Sequence, residues 1–216
     1  MSRKNLKLKI VIILNLILSS LQIDSSKIII ISFSKSGNTQ IISDYINKAT
    51  NIEFFKIEPK ISYPSNYEEL IKIVKNEQNT NARPEIDNPL TDISNYDIIL
   101  LGYPLWYGHL PNIVITQLEL LNLNNKEIYP FITHDGNGAG KSFDDIKNYV
   151  CDCIIHDNFN ILEIIIKNNG KIAKEKINLW LDDIGIDIIN DVYFDKSESF
   201  FNIWFWSYFF LLFIFI

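Results

Sequence analysis

A short hydroxyl-rich stretch follows the most apolar part of the chain and has the residue types that hold an anion. Residues 34–39 read Ser-Lys-Ser-Gly-Asn-Thr and come soon after four successive isoleucines, residues 28–31, a run typical of a strand buried on both faces. Residues 40–49 show helical spacing, and Asn38 or Thr39 is expected to cap that helix. Because a helix start leaves N–H groups unpaired at the positive end of its dipole, the loop predicts a phosphate site. An ordinary capped turn is the alternative.

Two more loops carry residues suited to ligand binding. Counting residues 34–39 as the first loop, the second loop is residues 102–111. It is rich in aromatic side chains, and Trp106 or Tyr107 could offer a flat face to a ring. The third loop begins at Thr133 and His134. Six of the eight glycines lie at three predicted strand ends: Gly37, Gly102, Gly108, Gly136, Gly138 and Gly140. Since ligands of open parallel sheets bind at the carboxyl ends of strands, this distribution indicates one site shared by three loops.

The elements that must position these loops alternate along the chain. Strands are predicted at residues 28–31, 52–57, 96–102, 127–133 and 161–166, and helices at 40–49, 67–77, 112–121, 143–150 and 173–181. Such alternation predicts an α/β fold with a parallel sheet and helices on both faces. With 216 residues and 47% hydrophobic content, one domain is expected to bury the core.

Composition excludes several classes of function. A net charge of −6 and the lack of a basic stripe argue against a nucleic-acid partner. Cys151 and Cys153 have neither redox nor zinc spacing, and the three histidines lie far apart in sequence, so no metal site is predicted.

Both ends of the chain differ from its middle. Residues 1–26 combine a basic start with an apolar segment and predict a signal peptide or an N-terminal anchor. Residues 191–216 include an uncharged aromatic run, read either as a membrane anchor or as a non-native extension. Residues 27–190 form the predicted domain. Export or membrane association is therefore expected, and a cytoplasmic location if the first segment is no signal.

The motifs between residues 27 and 185 together resemble the flavodoxin-like family, and especially its short members with a Thr-His-x-Gly loop. Besides the phosphate loop, the resemblance rests on residues that occur in the family's order and spacing. They are Tyr63-Pro64, Tyr67, Glu77, Arg83-Pro84, Tyr96-Asp97, the run from Gly102 to Gly108, Pro111, Thr133-His134, Gly136 and Gly138. Asp135 and Asn137 depart from the small residues that this branch more often carries.

The resemblance implies a three-layer sandwich with a five-stranded parallel sheet of order 2-1-3-4-5 and a non-covalently bound FMN. The residues that match the family's phosphate loop are Ser34, Ser36, Gly37, Asn38 and Thr39. Those that match the loops on either side of the flavin ring are Pro104, Leu105, Trp106, Tyr107 and Gly108, then Thr133, His134, Gly136 and Gly138. Electron transfer or FMN-dependent reduction is implied, with a redox protein or a small-molecule electron acceptor as partner.

Two alternatives stay open. Gly140-Lys141-Ser142 imitates part of a nucleotide-binding P-loop, although Asp135 stands where that motif needs glycine. The other alternative is a binding module that keeps the fold without the flavin. His134 is expected either to donate a proton or hydrogen bond to the flavin or to order its own loop.

Overall fold

The predicted alternation of strands and helices is present in the computed structural model, which describes residues 24–149 and 153–189. The strands are β1 (Ile28–Ser32), β2 (Glu53–Lys56), β3 (Glu58–Pro59), β4 (Ile86–Asp87), β5 (Ile98–Pro104), β6 (Glu127–His134), β7 (Ile154–Ile155) and β8 (Phe159–Leu162). The helices are α1 (Asn38–Thr50), α2 (Tyr67–Thr80), α3 (Asn112–Glu119), α4 (Ser142–Tyr149), α5 (Glu163–Asn168) and α6 (Gly170–Asp183).

The main sheet is parallel and confirms the expected strand order. Its strands run β2-β1-β5-β6, and β7 and β8 both pair with β6. β7 lies beside the start of β6 and β8 beside its end, so the two share the fifth position of the order 2-1-3-4-5. β3 and β4 form a separate antiparallel pair.

The predicted fifth strand at residues 161–166 is wrong in its placement. The chain enters the fifth position earlier, through β7 and β8, and α5 begins at Glu163. In α5 the side chain of Ile166 is buried while that of Ile164 is exposed. A short run of isoleucines fits a buried strand as well as one face of a helix, so periodicity alone could not separate the two.

Two cores, one on each face of the sheet, give three layers. Ile29 and Ile31 of β1 pack into a core that includes α3 and α4, whereas Ile28 and Ile30 pack into the other, with α1 and α6. All four isoleucines are at most 1% exposed, which confirms the prediction of a strand buried on both faces.

Among the residues that the structure describes, no helix combines the length and the apolar character needed to cross a bilayer. The predicted signal or anchor at residues 1–26 lies outside the described residues except for residues 24–26, and the aromatic tail at 191–216 lies outside them entirely. Both stay predictions.

Candidate functional site

Three loops meet at the carboxyl edge of the sheet and surround a cleft of about 450 Å³, here called the loop cleft. Backbone hydrogen bonds join neighbouring loops, from Leu105 N–H to the Thr133 carbonyl (2.8 Å) and from Lys141 N–H to the Gly108 carbonyl (2.7 Å). The volume is within the range of small-molecule sites. Six residues predicted for the site line it: Ser36, Pro104, Leu105, Trp106, Tyr107 and Gly108. The predicted convergence of the loops is thus present.

The start of α1 is left without a side-chain cap. Its N-cap is Gly37, with φ of +91°, and no side chain of the described residues accepts from the first-turn amides, so the expectation that Asn38 or Thr39 caps the helix is wrong. The φ value suits glycine, and a Cβ there would meet nothing within 4 Å. Nearby, the Ser34 hydroxyl is buried and has no hydrogen-bond partner within residues 24–149 and 153–189. The free amides and this hydroxyl are the donor set that an anion requires.

Ser36, Asn38 and Thr39 of this loop have side chains that are already hydrogen-bonded within the protein. The buried hydroxyls of Thr39 and Thr133 lie 2.8 Å apart, and the Asn38 amide donates to the Ser36 hydroxyl at 3.1 Å. A hydroxyl pair uses only one of its two hydrogens, so either Thr39 or Thr133 keeps a donor. These contacts tie the first loop to the third and hold its shape. Lys35, which sequence reasoning gave no role, also lines the loop cleft.

Trp106 forms one wall of the loop cleft and is held from behind by two other aromatic rings. Its ring meets Phe33 and Tyr63 edge to face, at centroid distances of 5.2 and 4.9 Å, and Gln78 donates to its carbonyl at 3.0 Å. Such edge contacts are favourable and directional. Trp106 is therefore half-buried with a defined orientation, as a platform for a ring would be.

Tyr107 stands at the outer rim of the loop cleft. It and Gly108 form the centre of a tight turn closed by bonds between Trp106 and His109, with positive φ at both central positions. A positive φ is uncommon for tyrosine. The ring is 46% exposed, and the Lys75 ammonium lies 4.9 Å from its centroid. Tyr107 could therefore contact a molecule that approaches from solvent.

His134 orders the third loop. Its Nδ1 accepts hydrogen bonds from the backbone N–H groups of Gly136 and Gly138, both at 3.2 Å, which assigns the proton to Nε2. The side chain is buried and does not line the loop cleft, whereas Asp135 and Asn137 of the same loop do. The loop-ordering interpretation of His134 thus has direct geometric support.

One wall of the loop cleft was missed by sequence reasoning. It consists of four side chains of α2, Tyr67, Leu70, Ile71 and Val74, and of Glu163 at the start of α5. Helical spacing of the apolar residues was visible in the sequence, but it indicated only a face turned towards the core. Of those four, only Val74 is fully buried, because the others border the opening.

The segment that imitates a P-loop, Gly140-Lys141-Ser142, is hydrogen-bonded to neighbouring parts of the protein. Lys141 N–H donates to the Gly108 carbonyl, and the Ser142 hydroxyl donates to the Ala139 carbonyl at 2.6 Å. A Cβ on Gly140 would lie 2.5 Å from the Gly108 oxygen. The glycine is needed for loop docking, and the Lys141 amide and the Ser142 hydroxyl are already engaged within the protein.

Comparison with known proteins agrees with this geometry. The model of a flavodoxin family, described as Flavodoxin, matches residues 27–184. No curated protein sequence matches the chain. Among solved structures, a protein assigned as a flavoprotein from Bacteroides uniformis is 18% identical (TM-score 0.64, covering 74% of this chain and 99% of that one). Another from Bacteroides eggerthii is 26% identical (TM-score 0.62, 75% and 99%).

A flavoprotein in complex with FMN from Lactobacillus acidophilus is 22% identical to the chain. The TM-score is 0.54, and the alignment covers 68% of this chain and 99% of that one. These structures share the arrangement of the sheet and its flanking helices.

Proposed function

We propose, from the premise that this chain belongs to the flavodoxin family, that it binds FMN non-covalently in the loop cleft and serves electron transfer or FMN-dependent reduction. The observation that carries the proposal is the uncapped start of α1 next to the unpartnered hydroxyl of Ser34. A dianion would satisfy both at once. FMN, when bound, supplies the one- and two-electron chemistry of its ring.

The first loop is the proposed phosphate site. Ser34 and Ser36 would donate through their hydroxyls, and Gly37, Asn38 and Thr39 through backbone N–H groups at the positive end of α1. Thr39 is held in place by its bond to Thr133. Lys35 lines the same cleft and adds a positive charge next to the phosphate position.

The other two loops are the proposed ring site. Trp106 and Tyr107 would contact the flavin ring, and Pro104, Leu105 and Gly108 would shape that side of the cleft. On the opposite side, Thr133, His134, Gly136 and Gly138 would hold the third loop against the ring.

The charges of the loop cleft bear on the redox potential and on the partner. Asp135 and Glu163 line it, and nearby negative charge opposes the added charge of a reduced flavin, which lowers its potential. The open rim at Tyr107 suits contact with a redox protein or a small-molecule electron acceptor. Membrane association through either end of the chain stays a prediction.

An absorption spectrum and an FMN titration of the full chain test the proposal. We expect a flavin band, or saturable binding of added FMN, and affinity for riboflavin about a hundredfold lower, since riboflavin lacks the phosphate and its charged hydrogen bonds. A colourless protein that shows no binding of added FMN would instead support the binding module without a flavin. Reduction of the bound flavin by NAD(P)H without a second protein would favour an oxidoreductase over a passive electron carrier.

A further inference from the structure

Tyr63 contacts Trp106 and also lines a second cleft of about 570 Å³. It is here called the hairpin cleft because it borders the antiparallel pair of β3 and β4, which are connected through α2. The cleft is lined by residues 60–63, by two side chains of α2 and by residues 82–85. It brings together Tyr63, Glu77 and Arg83-Pro84, three parts of the sequence motif that do not line the loop cleft.

Glu77 is the central polar group of the hairpin cleft. The residue is only 8% exposed, and its Oε2 accepts a hydrogen bond from the Tyr63 hydroxyl at 3.2 Å. Within the described residues, this is the one hydrogen bond that the carboxyl group makes. Its second oxygen is therefore available to a donor in the cleft, and a buried carboxyl is costly until its hydrogen bonds are made.

The basic side chains of the hairpin cleft are already neutralised. Lys60 Nζ lies 2.5 Å from a Glu85 carboxylate oxygen, and Arg83 holds both carboxylate oxygens of Glu119 at 2.7 Å. A two-point contact of this kind fixes the guanidinium in place. Once these two pairs are set aside, Glu77 is the surplus charge, so the cleft favours a cation.

Apart from Ser62, the rest of the lining is apolar. Ile61 and Ile73 are exposed, with 85% and 40% of their surfaces in contact with solvent, and Pro84, Ala82 and the Tyr63 ring complete the wall. Apolar surface next to one buried acidic group is the typical composition of a small-molecule site, and a cation gains further from an aromatic face.

We propose that the hairpin cleft binds a small organic ammonium ion, whose N–H groups donate to the Glu77 carboxylate. Its apolar body would pack against Tyr63, Ile73 and Pro84. The site is separate from the loop cleft and does not depend on FMN binding.

The test is an NMR titration of the full chain with benzylammonium, in parallel with benzyl alcohol, which has the same ring but no charge. We expect shifts confined to amides around the hairpin cleft and at least tenfold weaker binding of the alcohol, the difference that hydrogen bonds to a charged group supply. Glu77→Gln keeps an acceptor for Tyr63 and is expected to weaken benzylammonium binding about tenfold.

Two further variants keep the test decisive if Glu77→Gln folds poorly. Ile73→Lys places a second ammonium at an exposed helical position that lysine tolerates, and should abolish benzylammonium binding. Glu68→Gln, on the exposed side of the same helix, removes one charge outside the cleft and should bind as the wild type does. Equal binding of both probes, no shifts at the cleft, or wild-type affinity in Ile73→Lys would overturn the proposal.

Discussion

The polar atoms around the loop cleft fall into two groups, those already bonded within the protein and those left for a ligand. Ser32 and Ser34 stand two residues apart on the same segment and represent the two groups. The Ser32 hydroxyl lies 2.7 Å from that of Ser43, whereas the Ser34 hydroxyl has no partner in the part of the chain that the structure describes. A buried hydroxyl without a partner lowers stability and is kept where it serves binding.

Replacing each serine by alanine should therefore have opposite effects. Ser34→Ala is expected to weaken FMN binding about tenfold, the contribution of one hydrogen bond to a charged group, and to leave the free energy of unfolding of the flavin-free protein unchanged or higher. Ser32→Ala should lower that free energy by about 1 kcal/mol and leave FMN affinity unchanged. FMN titration and urea unfolding of both variants measure the four values. Equal FMN affinity of the two variants would argue against Ser34 as a phosphate donor.

At the scale of elements, the sequence specified the strands and the loops better than the helix starts and the last strand. β1 and β5 were predictable because their apolar runs are continuous and end at glycine- or serine-rich loops. The uncapped start of α1 was not predictable, since Asn38 and Thr39 are both favourable caps. In the structure the Asn38 side chain bonds locally to Ser36, and the Thr39 hydroxyl bonds to Thr133 of the third loop. The α2 wall of the loop cleft likewise depends on where α2 packs, which no local pattern records.

The third loop gives a prediction at this scale, because one side chain holds it. His134→Ala removes the acceptor for the N–H groups of Gly136 and Gly138, so hydrogen exchange at these two amides should accelerate and FMN affinity should fall. His134→Asn carries an oxygen bonded to Cγ, as Nδ1 is, and should restore protection and most of the affinity. If His134 instead acts on the flavin through Nε2, the asparagine variant would regain protection without regaining turnover.

At the scale of the whole molecule, the two clefts differ in how far they could be predicted from the sequence. Parallel topology brings the three loops to one edge of the sheet, so the loop cleft follows from the order of strands and helices. The hairpin cleft depends on the pairing of β3 with β4. Each of these strands is two residues long, residues 60–85 separate them, and no local sequence pattern records that they pair. Tyr63, Glu77 and Arg83 were visible as motif residues, but their common cleft was not.

Glu77 links this second cleft to the stability of the whole domain. Burial raises the pKa of its carboxyl above the ordinary value of 4.5, against the opposing effect of the Tyr63 hydrogen bond. Because the folded protein then holds the proton more tightly than the unfolded chain, the contribution of Glu77 to stability falls as pH rises from 4.5 through the raised pKa. Above the raised pKa, the stabilisation that comes from the protonated Glu77 carboxyl is lost completely.

The unfolding free energy of the wild type and of Glu77→Gln should therefore diverge with pH. Glutamine stays neutral, so the wild type is expected to lose stability relative to the variant as pH rises from about 4.5 through the raised pKa of Glu77, by about 1.4 kcal/mol for each unit by which the pKa is raised. Lys60, Arg83 and Glu85 line the same cleft and are common to both proteins, so their titration cancels in the difference. Urea unfolding across this range measures it, with Glu68→Gln as the control for loss of one charge on α2. If the curves of the wild type and of Glu77→Gln stay parallel, the prediction that burial raises the pKa of Glu77 above that of the unfolded chain is wrong.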